Sequence, residues 1–416
     1  MKVFKFGGAS TKDAEGIKHI ANLLAAYNKE PLLLVISAMG KTTNALEAIL
    51  EAYLKKEEKL TGLIAALKDY HIEIVTTLFE KKPNPVTKLI DGLFHDLKLT
   101  LSRNKSTQYD FIYDQIIGYG ELMSSTILSA YLNERGCINK WIDARELIKT
   151  DSVYRDAGVL WEETQQRIRT LSPKTWYLTQ GFIGSDVNNF TTTLGREGSD
   201  YTASILAYCL NATSVTIWKD VPGVLTADPR LFKEPQLLSH ISYEEAIELA
   251  FYGASVIHPK TLQPLQRKEI PLFVKSFIEP EKSGTIVKKG TSLAPVLPCY
   301  IVKRNQILVS LSARDFSFIV EDNIGELFNL FHLHQLKVGL IQNSAISFSV
   351  CLDNKFNSFE VLLQQLRAKF KVSFQKDVTL YTIRHFDQNA IIKLEQNKDI
   401  LLKQLTKETY QMVAKQ

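Results

Sequence analysis

Residues 3–10, V-F-K-F-G-G-A-S, join a short apolar run to a pair of glycines, and a helical pattern follows over residues 12–28. A second apolar run, residues 31–37, shows no polar alternation, which is typical of a central strand covered on both faces. A further helical pattern begins at Asn44. This alternation of strands and helices predicts βαβ units and a parallel sheet.

Further strands are predicted at residues 140–142, 176–179, 215–218 and 272–277, where short β-branched and aliphatic runs recur. Residues 47–115 carry only helix-period patterns, which predict a helical insertion between strands.

Small polar residues between 283 and 290 indicate a boundary, and the pattern changes beyond them. Residues 306–375 read as a complete βαββαβ unit. Residues 380–413 begin a second unit that is too short to be complete, so we expect it to borrow a strand at residues 299–303. The tail is therefore predicted to be a pair of small α+β modules.

The composition is that of an ordinary globular protein of 416 residues, with 45% hydrophobic and 23% charged side chains. A net charge of +5 without long basic runs argues against nucleic acid as the main partner. No apolar stretch is long enough to span a bilayer, and residues 1–8 lack the apolar region of a signal peptide. Four widely spaced cysteines predict neither a zinc site nor disulfides, so we expect a cytoplasmic protein.

The first strand ends in Lys5, Gly7 and Gly8, just before Ser10 and the predicted helix. Freed backbone N–H groups and a helix N-terminus favour a phosphate there, although a turn with a surface lysine fits the same pattern. The G-K-T at residues 40–42 is not a Walker loop, because that motif needs a glycine where Val35 stands.

Three later clusters strengthen the interpretation as a phosphate-transfer site. Glu121 heads an apolar helix, where it is either a helix-dipole partner or a ligand for an ammonium group. Arg196 lies in a loop rich in hydroxyls and glycines, residues 191–201. Its guanidinium group can bind a carboxylate through two parallel hydrogen bonds. Residues 219–230 leave a strand at the edge where open α/β sheets bind ligands.

Seven motifs in this order resemble aspartate kinases of the amino-acid kinase superfamily: K-F-G-G-A-S, S-A-M-G-K-T-T-N, G-E-L-M-S, T-Q-G-F-I-G, T-T-T-L-G-R-E-G-S-D-Y-T-A, K-D-V-P-G-V-L-T-A-D-P-R and G-A-S-V-I-H-P. The resemblance spans nearly the whole chain. It implies a three-layer αβα amino-acid-kinase fold with a mainly parallel sheet over residues 1–287. Residues 288–416 then resemble tandem ACT-type, ferredoxin-like regulatory modules, the second of them abbreviated.

The resemblance also implies the reaction, in which ATP phosphorylates the side-chain carboxylate of L-aspartate to 4-phospho-L-aspartate. This is the first step towards lysine, threonine and methionine. Lys5 and Asp200 match the catalytic positions, with Asp200 acting at the nucleotide phosphates through Mg²⁺. No general base is required, because a carboxylate with an ordinary pKa of about 3.9 arrives ionised.

The binding residues are carried over from the same motifs. Arg196 would hold the substrate α-carboxylate and Glu121 its ammonium group. The positions matching substrate contacts are Thr43, Glu121, Phe182, Arg196 and Ser199. The positions matching nucleotide contacts are Lys5, Gly7, Gly8, Ser10, Lys219, Asp220, Leu225, Asp228, Arg230 and Ser255.

Five residues depart from the family pattern. Lys219 stands where many relatives carry Thr or Ser, Leu225 where an aromatic residue is common, and Glu197 where a glycine is common. Ser255 replaces a nucleotide-contacting lysine, a cation that Lys219 or Lys260 could supply. Gly339 replaces the acidic residue that meets the effector ammonium in lysine-sensing relatives.

Two other functions remain compatible with the sequence: another amino-acid kinase, for glutamate or acetylglutamate, and an effector-binding relative without catalysis. The Glu121 and Arg196 pairing argues against the first, and retention of Lys5 and Asp200 argues against the second. We expect a monofunctional kinase without a homoserine dehydrogenase domain. The tail is expected to form a homodimer or a higher homo-oligomer, and two roles stay open for it: binding an amino-acid effector, or serving mainly as a dimerisation platform.

Overall fold

The computed structural model describes residues 1–27, 30–80, 84–254, 257–315 and 317–415. It divides into two compact units. The first comprises Met1–Val224, Leu237–Ile247 and Val256–Leu293, and the second comprises Leu225–Gln236, Glu248–Ser255 and Ala294–Gln416. The predicted domain boundary after residue 287 stays a prediction. In the division by compact units, two short segments from before that boundary belong to the second unit.

Strands and helices are interspersed along the chain before residue 294. The strands are β1 (Lys2–Phe6), β2 (Leu32–Ile36), β3 (Lys140–Ile142), β4 (Tyr177–Gln180), β5 (Ile183–Ser185), β6 (Thr191–Thr193), β7 (Ser214–Lys219), β8 (His240–Ile241), β9 (Leu272–Ser276) and β10 (Thr285–Val287). The helices are α1 (Ala14–Ala25), α2 (Thr42–Leu54), α3 (Leu60–Leu78), α4 (Pro85–Arg103), α5 (Tyr109–Ile117), α6 (Tyr119–Glu134), α7 (Ala144–Leu147), α8 (Trp161–Ile168), α9 (Gly198–Leu210), α10 (Tyr243–Tyr252) and α11 (Pro259–Arg267).

An eight-stranded sheet forms the centre of the first unit, in the order β3-β4-β2-β1-β7-β9-β10-β8. Strand β1 lies between β2 and β7 and is parallel to both, with Lys5 opposite Val35 and Ile217. Strand β10 runs antiparallel to β9. The sheet is therefore mainly parallel, as predicted.

The two faces of the central strands are both covered. On one face Phe4, Phe6 and Leu34 join a core shared with helices α1 to α6. The alternate side chains, such as Leu33 and Val35, are fully buried, and α9 packs against β1, β2 and β7. The predicted three-layer αβα arrangement is confirmed.

The helical insertion is also confirmed, and helices α2 to α5 fill it. Helix α1 begins at Ala14, two residues later than predicted, because the Asp13 carboxylate caps it by accepting the Gly16 N–H at 2.8 Å. Asn and Asp at this position satisfy an N–H that the helix itself leaves unpaired.

The prediction of one continuous loop over residues 191–201 is wrong at both ends, because helix α9 already begins at Gly198. Thr191–Thr193 forms strand β6, which pairs antiparallel with β5. Three consecutive β-branched threonines favour an extended backbone, and all three are buried. The loop that remains, residues 194–197, is short and held at both ends.

The second unit contains a six-stranded sheet and its helices. Its strands are β11 (Cys299–Ala313), β12 (Lys337–Asn343), β13 (Ser347–Asp353), β14 (Phe370–Arg384), β15 (Ile400–Leu405) and β16 (Thr409–Lys415). Its helices after residue 293 are α12 (Glu321–Leu333), α13 (Phe359–Lys369) and α14 (Gln388–Glu395). The strand order is β12-β13-β11-β14-β16-β15, with every neighbouring pair antiparallel.

Two strands of fifteen residues, β11 and β14, run through both halves of this sheet. Residues 306–313 of β11 pair with β13 and with the start of β14, while residues 299–303 pair with the end of β14. The second module does borrow the predicted strand, but as a continuation of the first module's strand. Strand β15, which the sequence did not predict, completes the sheet.

Within the described ranges, none of the helices combines the length and the apolar character needed to cross a membrane. The four cysteines all lie within the described residues, are buried, and are not joined by disulfide bonds.

Candidate active site

Loops from the carboxyl ends of β1, β2, β4 and β7 meet the first turns of α6 and α9 around a cavity of about 340 Å³. Parallel strands direct their carboxyl ends to one edge, which is where open α/β sheets place ligands. The lining residues are Lys5, Gly8, Ser37, Ala38, Gly40, Thr43, Glu121, Phe182, Gly195, Glu197, Gly198, Ser199, Asp200 and Lys219.

A buried cluster of opposite charges forms one end of the cavity. The Lys5 Nζ lies 2.5 Å from Asp200 Oδ1, and the Lys219 Nζ lies 3.3 Å from Asp200 Oδ2. Burial alone would raise the pKa of Asp200, but the two ammonium groups outweigh it and hold that pKa below its ordinary value. Asp200 is therefore an ionised carboxylate that keeps two cations at the sheet edge.

Glu121 lines the same cavity from the first turn of α6 and is 4% exposed. Its Oε1 accepts the Ala38 N–H at 3.3 Å, whereas its Oε2 has no hydrogen-bond partner among the described residues. Burial raises the pKa of Glu121 to about 8, although the Ala38 N–H and Lys5 oppose this shift. Binding of a ligand ammonium group fits this geometry better than pairing with the helix dipole.

The glycine loop after β1 brings the backbone close to the loop after β2. A Cβ at Gly8 would lie 2.7 Å from the Ala38 carbonyl oxygen, so no larger residue fits without moving the backbone. The Gly40 N–H donates to the Gly8 carbonyl at 3.0 Å, which ties the two loops together. The loops form a narrow wall beside Lys5.

The other side of the cavity is set by the turn after β4. Phe182 has a left-handed backbone (φ 69°), and its N–H donates to the Thr202 Oγ1 at 2.9 Å. Ser199 is 8% exposed, and Gly181 lies so close to it that an added Cβ would clash with the Ser199 Cβ. Phe182, Ser199 and Thr43 are thus brought to the cavity, as predicted from the motifs.

Other predicted residues lie elsewhere in the first unit. Arg196 is exposed on the loop between β6 and α9 and does not line the cavity. Gly7 lies against the lysine, since a Cβ there would be 3.4 Å from the Lys5 Nζ. Ser10 is buried, with no partner for its hydroxyl among the described residues. Asp220 is exposed directly after β7.

The rest of the predicted nucleotide contacts fall outside this unit. Leu225, Asp228 and Arg230 belong to the second unit, where the Arg230 guanidinium grips the Asp228 carboxylate with its closest contact at 2.6 Å. Ser255 lies outside the described residues.

Glu197 lines the cavity, although sequence reasoning placed it only as a departure from the family pattern. It adopts a left-handed backbone (φ 53°) at the start of α9, and its Oε2 has no hydrogen-bond partner among the described residues. Burial raises its pKa, and the nearby Lys219 ammonium opposes the shift. The available signal was an acidic residue directly before Gly198, where the predicted anion-binding loop runs into a helix.

The arrangement separates two kinds of chemistry within one cavity. The two lysine ammonium groups suit a phosphate group, since positive groups stabilise the charge on a transferring phosphoryl group. The ionised aspartate between them suits a cation that is bound to that phosphate. A buried glutamate with a free oxygen suits an ammonium group. The cavity can therefore hold a phosphate beside a ligand that carries an amino group.

Comparison with known proteins identifies relatives over most of the chain. A profile of the amino acid kinase family matches residues 1–276. Lysine-sensitive aspartokinase 3 of Escherichia coli is 31% identical over an alignment 392 positions long that covers 92% of this chain and 86% of that protein. Aspartokinase 2, chloroplastic, of Arabidopsis thaliana is 29% identical over an alignment 423 positions long that covers 96% of this chain and 73% of that protein.

Solved structures give the same result. The structure of E. coli aspartokinase III in complex with aspartate and ADP matches with a TM-score of 0.85 at 28% identity, covering all of this chain and 96% of that one. The aspartate kinase of Clostridium acetobutylicum matches with a TM-score of 0.78 at 20% identity, covering all of this chain and 96% of that one, which supports the fold alone.

The buried Glu121 gives a prediction for the ligand-free protein. Because its pKa is about 8 in the folded chain and near 4.5 when unfolded, the folded chain holds a proton that the unfolded chain loses as the pH rises from 5 to 8. The wild-type free energy of unfolding should therefore fall across this window, relative to Glu121→Gln, by at most about 1.4 kcal/mol per pH unit. Urea unfolding at several pH values measures the difference. Glu73→Gln, at an exposed position of α3, should show no such trend.

Proposed function

This chain belongs to the amino acid kinase family and within it to the aspartokinases, and we propose that it transfers the γ-phosphate of ATP to the side-chain carboxylate of L-aspartate. The products are 4-phospho-L-aspartate and ADP, in the biosynthesis of lysine, threonine and methionine. One observation carries the proposal: a single cavity holds the Lys5, Asp200 and Lys219 charge cluster together with the free oxygen of Glu121.

The substrate's amino-acid end is proposed to bind between Glu121 and the loop that carries Arg196. The substrate ammonium would pair with the unpartnered Glu121 Oε2, and this pairing favours the ionised form of Glu121. Arg196 would grip the α-carboxylate with its planar fork. Thr43, Phe182 and Ser199 line the space between, so the side-chain carboxylate is the group left to reach Lys5.

In the transfer step, an oxygen of the substrate carboxylate forms a bond to the γ-phosphorus. The bond from that phosphorus to the oxygen bridging the β and γ positions breaks, and ADP leaves with the electron pair. The substrate carboxylate is already ionised, so no side chain needs to remove a proton. Lys5 is proposed to neutralise charge on the transferring group, where preorganised cations act most strongly.

Mg²⁺ is proposed to bind with the nucleotide. It prefers oxygen ligands and is commonly held in kinase sites by one or two carboxylates together with substrate phosphates. The described residues contain no group of three or more His, Cys, Asp or Glu suited to a metal. The ionised Asp200 and the unpartnered Oε2 of Glu197 fit a cation that brings phosphate ligands with it. Bound Mg²⁺ would neutralise phosphate charge.

The remaining nucleotide contacts are proposed on two grounds. The narrow glycine wall supports a phosphate cradle formed by Gly7, Gly8 and Ser10, and Lys219 supplies a second cation beside Asp200. The resemblance alone supports the other proposed contacts, which are Asp220, Leu225, Asp228, Arg230 and Ser255.

We further propose that these 416 residues carry the kinase activity without homoserine dehydrogenase activity, and that the protein acts in the cytoplasm.

An assay of ATP consumption with aspartate, glutamate and no amino acid tests the function. Hydroxylamine trapping of the acyl phosphate should detect product with aspartate only. A signal with glutamate in place of aspartate would show a different amino-acid kinase, and consumption without trapped product would contradict carboxylate phosphorylation.

Lys5→Ala should abolish turnover, because the cation acts mainly on charge gathered in the transition state. The variant should still fold but with a lower melting temperature, because Asp200 loses one of its two paired cations and keeps Lys219. Measured kcat should fall by more than tenfold, which corresponds to more than about 1.4 kcal/mol in the barrier. Lys2→Ala, in the same strand and paired with Glu30 at its far end, is the control and should retain activity. A Lys5→Ala enzyme with more than a tenth of wild-type kcat would contradict the role.

The second unit is proposed to form a homodimer. Its sheet ends in the edge strands β12 and β15, and exposed apolar side chains lie near these edges, including Ile346 (45%) and Leu405 (62%). Unpaired edges favour association with another chain. Sedimentation velocity should therefore show a dimer that Ile346→Asp combined with Leu405→Asp weakens. The pair Leu54→Asp and Leu89→Asp, at exposed positions of α2 and α4, should leave it unchanged. A monomeric wild type would contradict the proposal.

Inhibition by lysine alone is predicted to be weak or absent. Gly339 lies in β12, and a Cβ there would be 3.0 Å from the Leu380 Cδ2, so this position offers an ammonium group an apolar neighbour and no carboxylate. Burying an ammonium group without a partner is costly. Activity should be measured with millimolar lysine, threonine or both. Strong inhibition by lysine alone would overturn the argument. If that inhibition is lost in Asp322→Asn, then Asp322, at the start of α12, is the acid that takes the place of the carboxylate missing at Gly339.

A further inference from the structure

Asp114 is a carboxylate with no exposed surface that does not line the active-site cavity. It lies on α5 and accepts three hydrogen bonds from outside that helix. Its Oδ2 accepts the Thr193 N–H at 2.8 Å and the Arg155 N–H at 3.0 Å, and its Oδ1 accepts the Thr193 hydroxyl at 2.8 Å. Burial raises the pKa of Asp114 to about 6, and these donors oppose that shift. A buried carboxylate is costly unless its bonds are made, and these bonds join three segments.

The first segment leads to the Arg196 loop. Thr193 is the last residue of β6, and the chain then passes through Gly195 and Arg196 into α9. Strand β6 is held to α5 a second time, because the Gln115 side-chain amide donates to the Thr191 carbonyl at 2.8 Å and accepts the Thr191 N–H at 3.2 Å. The start of the loop is therefore fixed relative to α5.

The second segment lies against the same loop from its other side. The Ala157 N–H donates to the Thr193 carbonyl at 3.0 Å. A Cβ at Gly195 would lie 3.2 Å from the Arg155 carbonyl oxygen and 2.5 Å from the Asp156 Oδ1. Gly195 itself has a left-handed backbone (φ 77°). By holding the Arg155 N–H, Asp114 fixes the surface against which the loop turns.

The third segment is the helix of Asp114 itself. Helix α5 ends at Ile117 and continues through Gly118 into α6, whose first turn carries Glu121. This corner packs on β6, since a Cβ at Gly118 would lie 3.3 Å from the Thr191 Cγ2. Asp114 thus connects the helix corner that presents Glu121 to the loop that presents Arg196.

We infer that Asp114 is a positioning residue that sets the spacing between Glu121 and the Arg196 loop, and so the length of the amino-acid substrate that the site accepts. The inference rests on the proposed function, in which these two residues hold the substrate ammonium and α-carboxylate. With that end fixed, a side chain of one length places its carboxylate at Lys5, and a chain longer by one methylene is misplaced.

A purely structural role for Asp114 leads to a different expectation. Loss of an anchor that only stabilises the fold lowers the melting temperature and the active fraction, which scales kcat equally for all substrates. A positioning role changes KM for the amino acid and the ratio of aspartate to glutamate use. Steady-state kinetics with both amino acids and with ATP, together with thermal unfolding, separate the two.

Asp114→Asn is the main variant, because its amide group would turn a donor towards the N–H groups of Thr193 and Arg155. We expect KM for aspartate to rise at least about tenfold and the aspartate preference over glutamate to fall by a similar factor, with kcat and KM for ATP within about threefold. Thr193→Ser keeps the hydroxyl donor and should behave as wild type. Thr193→Val removes the donor and should shift KM for aspartate in the same direction as Asp114→Asn.

Asp387→Asn is the control. The Asp387 Oδ1 accepts the Ala390 N–H at 2.7 Å at the start of α14, in the second unit, and this bond involves neither β6 nor residues 155–157. This variant should leave KM for aspartate unchanged.

Three results would overturn the inference: a loss of kcat in Asp114→Asn with an unchanged KM for aspartate, an equal change in Asp387→Asn, or no difference between Thr193→Val and Thr193→Ser. The Thr193 pair decides the matter if Asp114→Asn does not fold. A wild type that fails to phosphorylate aspartate refutes the proposed function, whereas an active wild type with unaltered variants refutes only the role of Asp114.

Discussion

The buried ion pair between Lys5 and Asp200 is the interaction on which the active-site end of the first unit depends. It joins the carboxyl end of the central strand β1 to the first turn of α9, and both side chains are at most one tenth exposed. Two charges are costly to remove from water, and breaking such a pair by losing one partner leaves an uncompensated charge. The surrounding loops are therefore arranged around these two residues, and Lys219 adds a second cation at the end of β7.

Much of this arrangement could be predicted from the sequence, because it depends on short-range patterns. The apolar runs of β1, β2 and β7 and the glycines after β1 appear at fixed places along the chain, and their order implies the parallel sheet. The division of β11 and β14 into separate strands was not correct. Asn305 and Asp377 both have left-handed backbones, and polar residues such as these resemble turns in a sequence although they lie within continuous strands.

In the candidate site, too, short-range sequence patterns predicted some residues and not others. Glu121 and Asp200 could be placed from their motifs, because each heads a helix that begins at the sheet edge. The exposed position of Arg196 and the place of Glu197 in the cavity lining could not be predicted, since the motif does not reveal the left-handed backbones of Gly195 and Glu197 on either side of Arg196. The bonds of Asp114 were also hidden, because they join residues 41 and 79 positions apart in the sequence.

The two fifteen-residue strands of the second unit have a mechanical consequence. Because β11 and β14 each belong to both halves of the sheet, the halves share covalent backbone and are not joined by flexible linkers. Slipping β11 by a single residue within one half would turn its side chains there to the opposite face of the sheet. The register of β11 against β14 shifts between Lys303 and Leu308, at the junction of the two halves. The two halves therefore share a continuous backbone, and bending of the sheet is expected to concentrate at this irregular pairing.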